Sequence, residues 1–117
     1  SSGALPTWLN EGLAMQLAGD AWPELDQAMN GDFTVTPLVH LEGSWGALPA
    51  SASIMAYAEA NSATHYLIER WGMARVNELL NALLAKSSLA DTIQDKLSVS
   101  YEEFHRQWLE SFEGSRS

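Results

Sequence analysis

The chain contains no cysteine, so it can form neither a disulfide nor a thiolate metal site. Basic residues are scarce. Six Lys and Arg stand against fifteen Asp and Glu, a formal net charge of −9, which argues against nucleic acid or an anionic membrane surface as a partner. Long apolar runs are missing too: a charged or polar residue interrupts every candidate, and no membrane span is expected. Internal repeats and low-complexity tracts are absent. The opening Ser1-Ser2-Gly3 has neither the basic nor the apolar region of a signal peptide, and residues 1–5 read as a linker remnant. None of these absences identifies a compartment. The acidic excess favours solubility; a domain recognising basic peptides would share it, but no motif supports that reading.

What is present is enough for one hydrophobic core, with 46% hydrophobic residues in 117. Pro6 and Thr7 suit the entry of a helix, by a fixed φ and an N-cap hydroxyl, and Gly19-Asp20 suits its exit, so a helix is expected over residues 6–18. Trp22-Pro23-Glu24-Leu25 starts a short helical stretch that Asn30-Gly31-Asp32 breaks. From Phe33 to Leu48 the pattern is irregular. Thr36-Pro37 can cap a single turn carrying Leu38 and Leu41, while Pro37 and the lack of a partner disfavour a strand at Phe33-Thr34-Val35. Ser51 and Ser53 are candidate caps for a second long helix running through Tyr57, Asn61, Thr64 and Ile68 to Gly72. Val76, Leu79, Leu80, Leu83 and Leu84 recur at helical spacing, and Ser87 and Ser88 close that helix. Leu89, Ile93 and Leu97 mark a short helix. Ser100 with Glu103 forms a capping-box pattern ahead of the stripe Tyr101, Phe104, Trp108 and Phe112. The expected fold is all-α, a compact bundle of about four or five helices over residues 6–112, with 113–117 a frayed tail.

The residue that asks for an explanation is Glu11. Between Trp8 and Ala18 only Asn10, Glu11 and Gln16 are polar, so the helix reads as apolar nearly all round and buried. Glu11 shares its face with Ala14, Met15 and Ala18, while Leu9, Leu13 and Leu17 form a separate stripe. A buried carboxylate is costly unless a cation, a metal or several donors meet it. The plain alternative is a glutamate near a helix N-terminus, favoured by the helix dipole.

Read as a unit, Pro6-Thr7-Trp8-Leu9-Asn10-Glu11-Gly12-Leu13-Ala14 resembles the W-L-x-E-G-x-A motif of the gluzincin zinc metallopeptidases, in particular their aminopeptidase-N-like and peptidase-MA-like groups. The resemblance implies that Glu11 is the third zinc ligand. The two histidine ligands and the general-base glutamate would come from an upstream H-E-x-x-H helix. Ala56-Tyr57-Ala58-Glu59-Ala60-Asn61-Ser62, followed by Tyr66-Leu67 and Arg70-Trp71-Gly72, is similar to the family segment in which a tyrosine opens a long helix. On that match Tyr57 would be the catalytic residue that donates its hydroxyl to the oxyanion, with an ordinary packing tyrosine as the alternative. Ala58, Glu59 and Ala60 stand where the aminopeptidase branch usually has Glu-Lys-Gly, which favours the peptidase-MA-like branch. The later helices, down to Trp108, are similar to the family's helical C-terminal subdomain.

The chain has no H-E-x-x-H, and His40, His65 and His105 stand alone, without metal-ligand spacing. Tyr66 reads as packing, His65 as a residue that could line the cleft of a larger enzyme, and the tryptophans as core or rim anchors. Trp45, in a Gly-rich loop, would either tuck over the core or contact substrate. The expectation is therefore a C-terminal helical part of a zinc-dependent peptidase. It would be inactive alone and hold no zinc alone, its partners being a missing N-terminal half carrying H-E-x-x-H and, in the intact enzyme, a peptide substrate. If that half normally covers the Glu11-Ala14-Met15-Ala18 face, the face is expected to lie open or in a self-association contact. The alternative is a non-catalytic helical interaction domain.

Overall fold

Pro6 (φ −62°, ψ 144°) brings the chain in extended and caps helix α1, Thr7–Ala18. The computed structural model describes residues 5–19, 35–43, 45–46, 48–85 and 87–116. Thr7 is thus the first helical residue and not a hydroxyl cap. The Pro6 carbonyl itself accepts from the Leu9 and Asn10 amides at 3.1 and 3.0 Å, and no side chain caps the helix. At the exit Gly19 adopts φ 69°, the left-handed conformation that glycine takes without strain, and its amide donates to the Met15 carbonyl.

Among the described residues all regular structure is helical. A 3-10 turn, Leu38–Leu41, follows α1, and then come α2 (Ala50–Trp71), α3 (Met73–Leu84), α4 (Leu89–Leu97) and α5 (Tyr101–Arg116). The short helix expected near Trp22 lies outside the described residues, as do Phe33 and Thr34; Val35 is in no regular element. Two compact units divide the chain, one of residues 6–65 and one of residues 66–117 with residues 1–5.

In the first unit α1 is not buried all round. Trp8, Leu9, Gly12 and Leu13 are buried, but Ala14 and Ala18 are exposed and Leu17 is 74% exposed, so the Leu9-Leu13-Leu17 stripe fails at its third member. Sequence polarity does not separate these faces, because alanine and an occasional leucine face water at little cost. The Glu11-Ala14-Met15-Ala18 face is the open one, with Glu11 and Met15 half-buried.

What holds α1 to α2 is a close approach at Gly12. A Cβ on that residue would lie 2.0 Å from Thr64 Oγ1 and 2.5 Å from the Ala60 carbonyl oxygen, so only glycine fits. Beside it Gln16 Nε2 donates to Asn61 Oδ1 at 2.6 Å. α1 also packs on the 3-10 turn. The Thr7 amide donates to the Glu42 carbonyl at 2.9 Å, and Leu38 and Leu41 are buried.

Helix α2 starts a turn earlier than Ser51 and Ser53 suggested. It begins at Ala50, directly after Pro49, and the Ser53 amide donates to the Pro49 carbonyl, so both serines are inside the helix. Gly72, at φ 86°, separates α2 from α3.

In the second unit α3 packs on α4, and α4 on α5. Val76, Leu79 and Leu83 are buried as the spacing implied, whereas Leu84 is 59% exposed. Ser88 does not end α3: it caps α4, accepting from the Asp91 amide at 3.1 Å. Half of the expected capping box forms at α5. The Glu103 amide donates to Ser100 Oγ at 3.0 Å, but the Glu103 carboxylate pairs with Arg106 and accepts from Gln107 instead of turning back. Phe104 and Trp108 are buried, and Tyr66, Trp71 and Phe104 form an aromatic cluster with centroids 5.8–6.0 Å apart, which fits Tyr66 as a packing residue.

The contact at Gly12 makes a direct prediction. Gly12→Ala lowers stability to urea by about 1–3 kcal/mol through overpacking. Adding Thr64→Ala recovers only part of the loss, because the Ala60 carbonyl is backbone. Equal midpoints for Gly12→Ala and the unsubstituted chain would refute the close contact.

Candidate functional site

Glu11 is adjacent to Gly12, the point at which α1 is pinned to α2, yet it projects from the open side of α1 and is half-buried. Among the described residues it makes no hydrogen bond or ion pair. Tyr57 lies on α2 one turn before Asn61 and two turns before Thr64. Helical periodicity puts these three on one face, and Asn61 and Thr64 are the residues that meet α1. The fold therefore brings the helix of Glu11 onto the face of α2 that carries Tyr57.

The ring of Tyr57 is half-buried and meets the Trp45 ring edge to face, with centroids 5.0 Å apart and planes at 82°. Trp45 is in turn held by its own Nε1–H, which donates to the Leu41 carbonyl at 3.1 Å, so this loop tryptophan is tied down beside α2. No hydrogen bond to the Tyr57 hydroxyl occurs among the described residues.

The remaining polar residues near α1 and α2 do not extend this pair into a metal site. His65 is exposed, with Nδ1 3.3 Å from Gln16 Oε1, and His40 is exposed on the 3-10 turn. His105 belongs to the second unit; its ring stands edge-on to Trp108, and burial holds its pKa below the ordinary value. Among the described residues no three of His, Asp and Glu come together in a way that could hold a metal ion. A catalytic zinc needs three protein ligands and an open position. The described residues do not compose such a site.

The carboxyl group that does need explaining was not singled out by its sequence. Glu59, on α2, is 1% exposed. Its Oε1 accepts from the Thr36 amide at 2.7 Å, and its buried Oε2 has no partner among the described residues. Burial raises its pKa to about 7, and the Thr36 hydrogen bond offsets only part of that shift. A partial signal was available: Met55, Ala56 and Ala63, at i−4, i−3 and i+4, make its face largely apolar, with Ser62 at i+3 the polar exception.

The described residues form an all-α domain in which the W-L-N-E-G-L-A helix is pinned to a tyrosine-bearing helix, and its class is that of a metallopeptidase-related helical domain. The chain matches the family model of the Peptidase MA superfamily over residues 1–114 and belongs to that superfamily. No curated protein and no solved structure matches it.

Glu59 makes stability depend on pH. A carboxyl whose pKa is raised from 4.5 to about 7 by folding costs nothing below 4.5. As pH rises from 4.5 through 7 the unfolded chain releases this proton more readily than the folded one, so stability falls, and the full penalty is present above 7. Glu59→Gln removes this dependence. Between pH 5 and pH 8 its urea-unfolding free energy, relative to the unsubstituted chain, shifts in its favour by on the order of 1–3 kcal/mol after allowance for solvent screening. A difference independent of pH would show that Glu59 titrates normally.

Proposed function

We propose that this chain is the C-terminal helical part of a zinc-dependent peptidase, with Glu11 as the third zinc ligand and Tyr57 as the donor to the oxyanion of the tetrahedral intermediate. One observation carries this reading. Gly12 locks α1 against α2 and leaves the carboxylate next to it without a hydrogen-bond partner among the described residues, on the half-open side of α1 that carries the exposed Ala14 and Ala18. Membership of the Peptidase MA superfamily and the W-L-N-E-G-L-A motif of the gluzincins support it. The reaction class is hydrolysis of a peptide bond by a metal-activated water.

On this reading two histidines and the general base come from an H-E-x-x-H segment outside this chain, which packs on the open Glu11-Ala14-Met15-Ala18 face. The part played by this chain is positional. α1 presents one carboxylate from a helix pinned at Gly12, and α2 presents a hydroxyl with no hydrogen bond among the described residues. The chain alone is inactive.

A second reading is favoured by the absence of H-E-x-x-H from the sequence and of any three-ligand cluster among the described residues. It is a non-catalytic helical interaction domain that keeps the peptidase scaffold. The sequence encoded upstream separates the two, since an H-E-x-x-H there belongs only to the enzyme.

The roles separate in the intact enzyme. Glu11→Gln abolishes bound zinc, measured by elemental analysis, together with turnover. Tyr57→Phe retains the metal and lowers kcat by about 10²–10³ with little change in KM. Full zinc content in Glu11→Gln would dismiss the ligand assignment. The 117-residue chain alone takes up no stoichiometric zinc in a calorimetric titration, and tight binding there would mean that its own side chains complete a site.

A further inference from the structure

Glu59 and Tyr57 are two residues apart on α2, so their side chains leave the helix about 200° apart and cannot touch. They are joined by another route. The Glu59 carboxylate accepts from the Thr36 amide at 2.7 Å. Pro37, with φ −54°, leads directly into the 3-10 turn, whose Leu38 and Leu41 side chains are buried. The Leu41 carbonyl, at the end of that turn, accepts from Trp45 Nε1 at 3.1 Å, and the Trp45 ring stands edge-on to Tyr57 at 5.0 Å. The described residues between Thr36 and Trp45 therefore lead from the Glu59 side of α2 to its Tyr57 side: Thr36 is bonded to the buried Glu59 carboxylate, the Trp45 indole is bonded to the 3-10 turn, and its ring meets Tyr57.

We propose that Glu59 is a positioning residue for Tyr57, its buried carboxylate holding Thr36 and, through the 3-10 turn and the Trp45 indole, fixing the ring that carries the hydroxyl. Three features support this role. An acidic side chain 1% exposed, with one oxygen lacking any partner among the described residues, is destabilising at that position compared with an apolar side chain of similar size. Among the described residues the carboxyl group's one hydrogen bond goes to the backbone of the segment that ends on Tyr57. The Tyr57 ring has one described aromatic neighbour, Trp45, which meets it edge to face at 5.0 Å. A donor to a developing oxyanion must be held to within roughly 0.5 Å, which a half-buried ring on a helix surface does not achieve without such a wall.

The catalytic significance rests on the reading of Tyr57 as the oxyanion donor, whereas the mechanical link does not, and the test keeps them apart. Glu59→Leu fills the same space without an acceptor, while Glu59→Gln keeps an acceptor oxygen for the Thr36 amide. In 15N-labelled 117-residue chain, the Trp45 indole signal is identified by its loss in Trp45→Phe. Glu59→Leu is expected to move that signal toward the position of a free indole, and to shift the Tyr57 ring signals, while Glu59→Gln leaves both near their native positions. Should Glu59→Leu not fold, Thr36→Pro removes the donor, leaves the carboxyl in place and is expected to produce the same displacement. Unmoved Trp45 and Tyr57 signals in the folded Glu59→Leu or Thr36→Pro chain would overturn the link. In the intact enzyme the link predicts a lower kcat for Glu59→Leu, restored in Glu59→Gln. If Tyr57→Phe retains full activity while the Trp45 displacement is observed, the oxyanion reading fails and the link stands.

Discussion

The contact between Gly12 and the Ala60–Thr64 turn of α2 is the constraint on which the first unit depends. With no Cβ, α1 settles against the backbone of α2 until a hydrogen atom is all that separates Gly12 from Thr64 Oγ1 and the Ala60 carbonyl. Everything on α1 takes its place from that contact. Trp8, Leu9 and Leu13 are turned inward, Gln16 is brought within 2.6 Å of Asn61, and Glu11 is turned to the uncovered side. The glycine of the W-L-N-E-G-L-A motif thus has a mechanical role distinct from that of the glutamate before it. One residue sets where the helix lies, and the other is carried to a fixed point by it.

A lone carboxylate on an apolar helix must find a partner or shift its pKa, and in this fold Glu59 meets that description more fully than Glu11 does. The periodicity around Glu11 is apolar, yet Ala14 and Ala18 face out and Glu11 is only half-buried. Glu59 sits in an alanine-rich stretch that looks unremarkable in one dimension and becomes fully buried because Ala56, Ala58, Ala60 and Ala63 let other chain segments approach α2 closely. Small residues make a helix approachable from several sides, so hydrophobic pattern alone does not say which side is covered. Glu11 and Tyr57 stand out for another reason, the resemblance of their two segments to family motifs, which periodicity does not capture.

Most of the helical order was legible for local reasons. The turn at Gly19, the break at Gly72 and the stripes of α3 and α5 all follow from glycine conformation and side-chain spacing, which need no knowledge of the rest of the chain. The misplaced features are starts and ends that hydroxyl residues appeared to mark. Ser51 and Ser53 lie inside α2, Ser88 opens α4 when it seemed to close α3, and Glu103 turns to Arg106 and Gln107. A serine can cap, bond within a helix or face water, and the choice depends on whether a proline one turn earlier has already supplied the first carbonyl, as Pro6 and Pro49 do here.

The same logic bears on what superfamily membership means for this chain. A metallopeptidase site divides its labour between groups that bind the ion and groups that hold those binders still. Among the described residues no set of ion ligands is assembled, whereas contacts that hold side chains in place are well developed: a glycine-locked helix, a buried acid tied to a loop, and an indole edge-on to a tyrosine. An apolar side chain at position 59 would remove the desolvation penalty and, with it, the acceptor that holds the Thr36 amide, so this buried carboxyl group gives up stability for order in the segment that leads to Trp45.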